Sequence, residues 1–312
     1  MSQIFAFVFP GQGSQSLGML KEHGAARPQV LQTFAEASEA LGYDLWALCQ
    51  KGPAEQLDET DKTQPAILTA SIALWRLWLA EGGVKPAFVA GHSLGEYSAL
   101  VASGSLSLKE AVKLVETRGQ LMQQAVPVGT GAMAAIIGLD DDAVIAACEE
   151  AAQGEVISAV NFNAPGQVVI AGAASAVTRA QESCKARGAK RALPLPVSVP
   201  SHCALMRPAA QRFAEAVAAI DWQTPQIPLV QNVSARLAAD LDSLKQDLLA
   251  QLYSPVRWTA SMHYLAENGI STLVECGPGK VLSGLGKRCI KEAQIFSTDT
   301  PEAFASALSA LA

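Results

Sequence analysis

The chain has 312 residues, 50% hydrophobic and 17% charged, with a formal net charge of -6. That length suits one large globular unit or two domains with ample core, and the acidic balance sets aside a general nucleic-acid binder, which would ordinarily be basic. The six cysteines (49, 148, 184, 203, 276, 289) include no C-x-x-C pair, so they read as buried small hydrophobes in a reducing compartment, not as a disulfide or zinc framework.

In chain order, Ile4 to Phe9 is a continuous apolar run closed by Pro10-Gly11. It is expected to be a strand buried on both faces of a parallel sheet. The run is too short for a signal peptide and lacks a basic n-region. Pro65 is expected to open a helix to about Ala80, with proline where its missing N–H costs nothing. The longest apolar stretch, Ala66 to Ala80, is interrupted by Arg76 and falls short of a membrane span. A soluble, cytoplasmic protein with no membrane partner is therefore expected. Ala87 to Ala90 reads as a buried strand and Glu96 to Val101 as a helix. Ser107-Leu108-Lys109-Glu110 is a capping box, opening a helix to about Val126.

The middle of the chain has another rhythm. Met133 to Gly138 reads as strand, and Asp140 caps a helix ending before Gly154. Val156 to Asn161 is strand, Ala164-Pro165-Gly166 a turn, and Val168 to Ala171 strand. Ala174 to Arg187 is helix, stopped by Gly188, and Arg191 to Val197 is strand. This β-α-β-β-α-β order is ferredoxin-like. It predicts a small domain at 128–197 inserted into a larger α/β domain formed by 1–127 and 198–312. Further short strands are expected at Leu229 to Val233, Thr272 to Cys276 and Gln294 to Phe296. Helices are expected around 240–252, 256–268, 280–291 and 301–311.

Gly91-His92-Ser93-Leu94-Gly95 is G-x-S-x-G between an expected strand and an expected helix. A serine on that sharp turn has its hydroxyl exposed, and the Leu94 N–H lies at a helix N-terminus, ready to hold an oxyanion. Ser93 needs a base, and there are four histidines. His23 lies in a polar, surface-like segment, His92 should point away from Ser93, and His263 is mid-helix. His202 sits in a loop after the small domain's last strand, where catalytic groups collect, and is the best candidate base. No acid between Ser93 and His202 occupies an obvious strand-end loop, so a backbone carbonyl is an alternative partner for the imidazole. Gly11-Gln12-Gly13-Ser14-Gln15 has Ser16 where a dinucleotide fingerprint needs glycine. The Gln12 N–H is either a second oxyanion donor or part of an ordinary turn. Arg118 falls on the apolar stripe of its helix, with Leu114, Val115, Leu121 and Met122. A buried guanidinium needs an anion. Two readings stay open: a structural pair with a carboxylate such as Glu96, or a grip on a substrate carboxylate.

Phe9 to Gln15 (FPGQGSQ), Thr63 to Ala66 (TQPA), Gly91 to Leu100 (GHSLGEYSAL), Arg118, Val199 to Cys203 and Glu275 to Gly279 (ECGPG) together resemble the malonyl-CoA:acyl-carrier-protein transacylase family of bacterial type II fatty acid synthesis. The resemblance covers essentially the whole chain. It implies a hydrolase-like parallel-sheet large domain with an inserted ferredoxin-like small domain. It implies that Ser93 is the nucleophile, His202 its base, and the Gln12 and Leu94 N–H groups the oxyanion hole. Arg118 would grip the malonyl carboxylate, Gln64 would line the site, and the main-chain carbonyl near Gln251 would orient the histidine. The implied reaction is ping-pong transfer from malonyl-CoA to the phosphopantetheine thiol of acyl carrier protein, supplying malonyl groups for fatty acid synthesis with no metal or redox cofactor. Acyltransferases of modular polyketide synthases often carry an aromatic-containing motif before the histidine. Val199-Pro200-Ser201 stands there instead, as in free-standing members.

The family's carrier protein is acidic, so docking on this acidic chain calls for a local basic surface. Lys185, Arg187, Lys190 and Arg191 form one cluster, and Lys280, Lys287, Arg288 and Lys291 another. Lys190, Arg191, Lys287 and Arg288 are expected to flank the cleft. Solvated helix faces are the plainer alternative. Two rival functions remain at this stage. A serine esterase or thioesterase would use the same serine and histidine and give Arg118 no special task; the patatin-like variant needs an Asp-Gly that is absent. A non-catalytic carrier-binding module would have no use for Ser93 and His202 together.

Overall fold

The unbroken apolar run near the N-terminus forms β1 (Phe5–Phe9), buried along its whole length. The computed structural model describes residues 4–197 and 199–311. After β1 come α1 (Lys21–Ala26), α2 (Pro28–Leu41), α3 (Leu45–Lys51), α4 (Ala54–Leu57), α5 (Thr60–Ala80), β2 (Phe88–Gly91), α6 (Gly95–Ala102) and α7 (Leu108–Gln124). The middle holds β3 (Gly131–Ile137), α8 (Asp141–Ala152), β4 (Ile157–Ala164), β5 (Gln167–Ala173), α9 (Ala174–Ala186) and β6 (Arg191–Pro194). A 3₁₀ turn at Ala204–Met206 leads to α10 (Arg207–Ala218), β7 (Leu229–Val230), α11 (Leu241–Gln251) and α12 (Trp258–Glu267). The chain closes with β8 (Thr272–Glu275), α13 (Val281–Cys289), β9 (Gln294–Ser297) and α14 (Pro301–Leu311).

Five strands form a parallel sheet in the order β7-β2-β1-β8-β9. Strand alternation sends Phe5, Phe7 and Phe9 to the face packed by α2, α5 and α7. Ala6 and Val8 face α12 and α13 with Trp258, Met262 and Leu285. Covering both faces is what lets the strands dispense with polar residues. Phe9 pairs with Gly91 and Val8 with Glu275. The carboxyl ends of the three central strands are therefore level, and their loops emerge side by side. The chain runs outward from β1 through β2 to β7, then crosses to the other side of β1, so those loops open at a switch point of the sheet, the usual place for a binding site in such folds.

The second sheet is antiparallel, in the order β4-β5-β3-β6. With α8 and α9 on one face this is the ferredoxin-like arrangement. Ala134, Ile136, Val168 and Ile170 pack on Val144, Cys148, Val177 and Cys184 of the helices. The alternate residues Met133, Val160, Val169 and Ala171 face Cys203 of the larger unit. β4 is also tied to the larger unit through its backbone. Val256 donates its N–H to the Val160 carbonyl at 2.8 Å, and its carbonyl accepts the Phe162 N–H at 3.0 Å.

Three expectations need correction. Helix α5 begins at Thr60, not Pro65. Pro65 lies in the second turn, where it forgoes only the bond its N–H would make to the Asp61 carbonyl. Strand β6 ends at Pro194 instead of running to Val197; Leu195 still donates to the Met133 carbonyl at 3.0 Å, and Pro196 then offers the ladder no donor. Asp140 occupies the N-cap of α8 without a side-chain capping bond. The capping box of α7 is present, with both Ser107–Glu110 bonds made. Among the described residues no helix is long and apolar enough to cross a membrane. All six cysteines are free, five buried and Cys289 half-buried.

Candidate active site

Ser93 sits on the turn from β2 into α6 in the left-handed region, at φ +52°. The flanking glycines are obligatory. A Cβ on Gly91 would lie 1.9 Å from the Gly95 carbonyl carbon, and one on Gly95 would lie 2.0 Å from the Phe9 carbonyl oxygen. The turn is held by side chains from distant segments. The Ser93 N–H donates to Asn232 Oδ1 at 2.7 Å, Asn232 Nδ2 donates to the Gly91 carbonyl at 2.6 Å, and Gln251 Nε2 donates to the Ser93 carbonyl at 3.0 Å.

His202 is 3% exposed and also left-handed, at φ +65°. Its Nε2 lies 2.8 Å from Ser93 Oγ and its Nδ1 lies 2.7 Å from the Gln251 main-chain oxygen. A carbonyl only accepts, so Nδ1 carries the hydrogen and Nε2 is left with a lone pair toward the serine. Burial, and then the neighbouring Arg118 charge, push the imidazole's pKa down to about 3.

Arg118, on α7, is 1% exposed. Close approach of α7 to α5 places it there: a Cβ on Gly119 would be 2.5 Å from Asp61 Cα. Arg118 Nη1 donates to Gln64 Oε1 at 2.8 Å, and Nη2 donates to Gln251 Oε1 at 3.0 Å and to Ser93 Oγ at 3.3 Å. The guanidinium lies 5.4 Å from the centre of the Tyr97 ring. Among the described residues no carboxylate pairs with it, which removes the structural ion pair with Glu96. Glu96 is itself buried and accepts from the Asn232 N–H at 2.9 Å, Gln251 Nε2 at 2.9 Å and Gln231 Nε2 at 3.2 Å. The Gln251 side chain stands between the two charges.

These groups open on a cavity of about 130 Å³. Gln12, Ser93, Leu94, Arg118 and His202 line it, with Met122, Met133, Leu195, Val197 and Val199 as an apolar wall. Leu94 is the N-cap of α6. Gly11 lets the Gln12 loop lie on the elbow, since a Cβ there would be 2.5 Å from the His92 oxygen. The Gln12 side chain reaches Thr60 Oγ1 at 3.4 Å. Gln64 is fully buried and touches the site through Arg118 rather than on the cavity wall. Among the described residues no cluster of three His, Cys, Asp or Glu side chains is arranged to hold a metal ion.

His92 does turn away from Ser93, with Nε2 2.7 Å from Asn163 Oδ1 on β4. His263 is exposed on α12. His23 is not a surface residue: it is 2% exposed, with Nε2 3.0 Å from the Thr298 carbonyl. Lys190, Arg191, Lys287 and Arg288 are exposed, but none forms part of the cavity wall. Lys190 packs over Gly138, whose N–H bonds the Gly166 carbonyl at 2.8 Å, and Arg288 donates to the Pro165 carbonyl at 2.9 Å. The two basic clusters thus meet across the β4–β5 turn, and Arg288 is engaged there. Arg187 pairs with Glu150 at 2.8 Å, so its cluster is partly neutralised.

Sequence reasoning missed Asn232, Gln231 and Asn163. The signal for the first two was available: Gln231-Asn232 interrupts an apolar run at a strand's carboxyl end, where polar groups serve the site.

The chain matches the acyl transferase domain family over residues 6–303. It is 60% identical over 304 residues to the malonyl CoA-acyl carrier protein transacylase of Escherichia coli (strain K12), covering 97% of this chain and 98% of that protein. The corresponding Bacillus subtilis (strain 168) protein is 46% identical over 312 residues, covering 100% of this chain and 98% of that one. A malonyl-transacylase solved in complex with a type II polyketide acyl-carrier protein superposes with TM-score 0.98 at 54% identity, covering 99% of this chain and 100% of that one. An acyl carrier protein S-malonyltransferase from Vibrio cholerae superposes with TM-score 0.95 at 57% identity, over 97% of this chain and 99% of that one.

Proposed function

Because the chain belongs to the malonyl-CoA:acyl-carrier-protein transacylase family, and so is an acyl-carrier-protein S-malonyltransferase of fatty acid synthesis, we propose a ping-pong route for the transfer, through an acyl-enzyme on Ser93. The observation that carries this reading is the relay from Ser93 Oγ to His202 Nε2 at 2.8 Å and from His202 Nδ1 to the Gln251 carbonyl at 2.7 Å.

Ser93 Oγ attacks the thioester carbonyl carbon while its proton passes to His202 Nε2. The carbonyl oxygen becomes an oxyanion facing the Leu94 and Gln12 N–H groups. The C–S bond then breaks, and coenzyme A leaves as the thiol with the proton from Nε2. In the second half, His202 takes the proton of the phosphopantetheine thiol, the sulfur attacks the Ser93 ester, and Oγ recovers the proton. Neither half needs a metal or a redox cofactor.

Arg118 ties acyl selection to this chemistry. A guanidinium without a carboxylate partner suits the free carboxylate of malonyl, with Gln64 and Gln251 fixing its plane. The same positive charge depresses His202. A bound substrate carboxylate cancels that charge, so the imidazole becomes a better base once malonyl is in place. Lys190, Arg191, Lys287 and Arg288 are proposed to receive the acidic carrier, around the β4–β5 turn.

The test is intact-protein mass after brief exposure to malonyl-CoA, in wild type and in Ser93→Ala. The expected result is a malonyl-sized gain that requires Ser93 and disappears when carrier protein is added. Rapid malonate release with the carrier left unacylated would instead mark a thioesterase, and no adduct would exclude the acyl-enzyme.

A further inference from the structure

Arg118 and Glu96 are each 1% exposed, yet they do not pair. Opposite charges buried this close ordinarily meet, because each is costly to bury alone. Here the Gln251 amide separates them. Its Oε1 accepts from Arg118 Nη2 at 3.0 Å, while its Nε2 donates to Glu96 Oε2 at 2.9 Å and to the Ser93 carbonyl at 3.0 Å. An amide turned end for end has almost the same shape but reversed hydrogen bonding. An ionised carboxylate and a carbonyl both only accept. Together they select the NH₂ end of Gln251 and leave its oxygen for Arg118. The reversed amide would set donor against donor at the guanidinium and oxygen against two acceptors. Glu96 is held for this task by the Asn232 N–H and Gln231 Nε2.

We infer that Glu96 is a positioning residue for acyl-group selection: as a carboxylate it orients the Gln251 amide, which aims Arg118 at the substrate's carboxylate and balances its charge without occupying it. The inference rests on the acyl-enzyme reading above. A direct Glu96–Arg118 pair would have the opposite effect, since an incoming carboxylate would first have to displace one already in place.

Burial pushes the Glu96 carboxyl up to about 7, against the pull of its hydrogen bonds. The other titratable groups whose charges reach it are Asp247 of α11, Tyr97 of α6 and, beyond Gln251, Arg118 of α7. Protonation puts a donor into a site built from donors, the Asn232 N–H and the Nε2 groups of Gln231 and Gln251, so selection weakens as pH falls through that range. The malonyl carboxyl, an ordinary acid, stays ionised throughout.

The experiment compares initial rates of acyl-enzyme formation from malonyl-CoA and acetyl-CoA. It uses wild type and Glu96→Gln at pH 8, and wild type from pH 8 to 6. Glu96→Gln keeps the shape but sets an NH₂ group among three donors, the Asn232 N–H and the Nε2 groups of Gln231 and Gln251, and removes the charge that selects the Gln251 orientation. In the variant, malonyl loading is expected to fall about tenfold while acetyl loading stays within about threefold, the scale of one misdirected charge-assisted hydrogen bond. In wild type the malonyl-to-acetyl ratio should fall on acidification. The pH series decides the matter if the variant does not fold. An unchanged ratio in the folded variant or in the wild-type series overturns the inference, as does a parallel loss for both acyl groups. A wild type that forms no malonyl adduct overturns the acyl-enzyme reading itself, and this inference with it.

Discussion

The Gln251 main-chain carbonyl accepts the Nδ1 hydrogen of His202 at 2.7 Å, where many serine hydrolases place a carboxylate. A carbonyl fixes the tautomer and the ring as well as a carboxylate does, but brings no negative charge to stabilise an imidazolium. With Arg118 nearby and burial complete, the imidazole stays neutral down to about pH 3.

The pH dependence of serine reactivity should therefore be unusual. Labelling of Ser93 by a neutral sulfonyl fluoride is expected to proceed at nearly constant rate from pH 8 to about pH 5, because the base is not protonated in that interval. Intact mass against time at each pH measures it. A loss of rate centred near 6.5, the ordinary histidine value, would show that burial does not depress His202. The same displacement makes His202 a liability in acid. The unfolded chain takes up a proton below about pH 6.5 that the native imidazole refuses, so this residue's contribution to stability declines as pH falls through that window.

Arg118→Ala should separate acyl selection from acyl chemistry. Losing the guanidinium removes a desolvated, charge-assisted contact to the substrate carboxylate, and loading of malonyl is expected to fall by about a hundredfold or more. Acetyl loading should be spared or rise, because the charge that depresses His202 is gone as well. Single-turnover loading from the two coenzyme A esters measures both. Malonyl loading at the wild-type rate would leave Arg118 with a structural task only.

Carrier docking can be probed without disturbing the fold. Lys190→Glu and Lys287→Glu reverse exposed charges on the two sides of the β4–β5 turn; Arg288 is unsuitable because it holds that turn through the Pro165 carbonyl. The double variant is expected to raise the KM for acyl carrier protein about tenfold, with malonyl-CoA loading unchanged, since exposed charges mainly steer association. Steady-state transfer at low and moderate salt checks this. A carrier KM equal to wild type would place the docking surface elsewhere.

Much of this protein could be read before any coordinates. The nucleophile turn is local: strand, two glycines and a following helix constrain the backbone within a few residues, so Gly91, Ser93 and Gly95 announce it themselves. The order of strands and helices that makes the ferredoxin-like sheet is equally visible in periodicity, and the Ser107–Glu110 capping box marks its helix without help from the rest of the chain. Arg118 could be read as buried, because its place on an apolar stripe is a property of helical spacing.

What it contacts could not. A main-chain carbonyl carries no letter of its own, so the partner of His202, the Gln251 carbonyl, is invisible as a side chain. Glu96 stands three residues from Ser93, yet it acts through Gln251, 155 residues away. Only packing decided that an amide, not the carboxylate, would meet the guanidinium. The polar look of His23's surroundings likewise gave way to burial against Thr298. Local sequence determines backbone geometry because steric and hydrogen-bonding limits act over a few residues. Which buried polar groups find one another is settled by the tertiary structure, because burial makes each group costly until a partner from any part of the chain satisfies it.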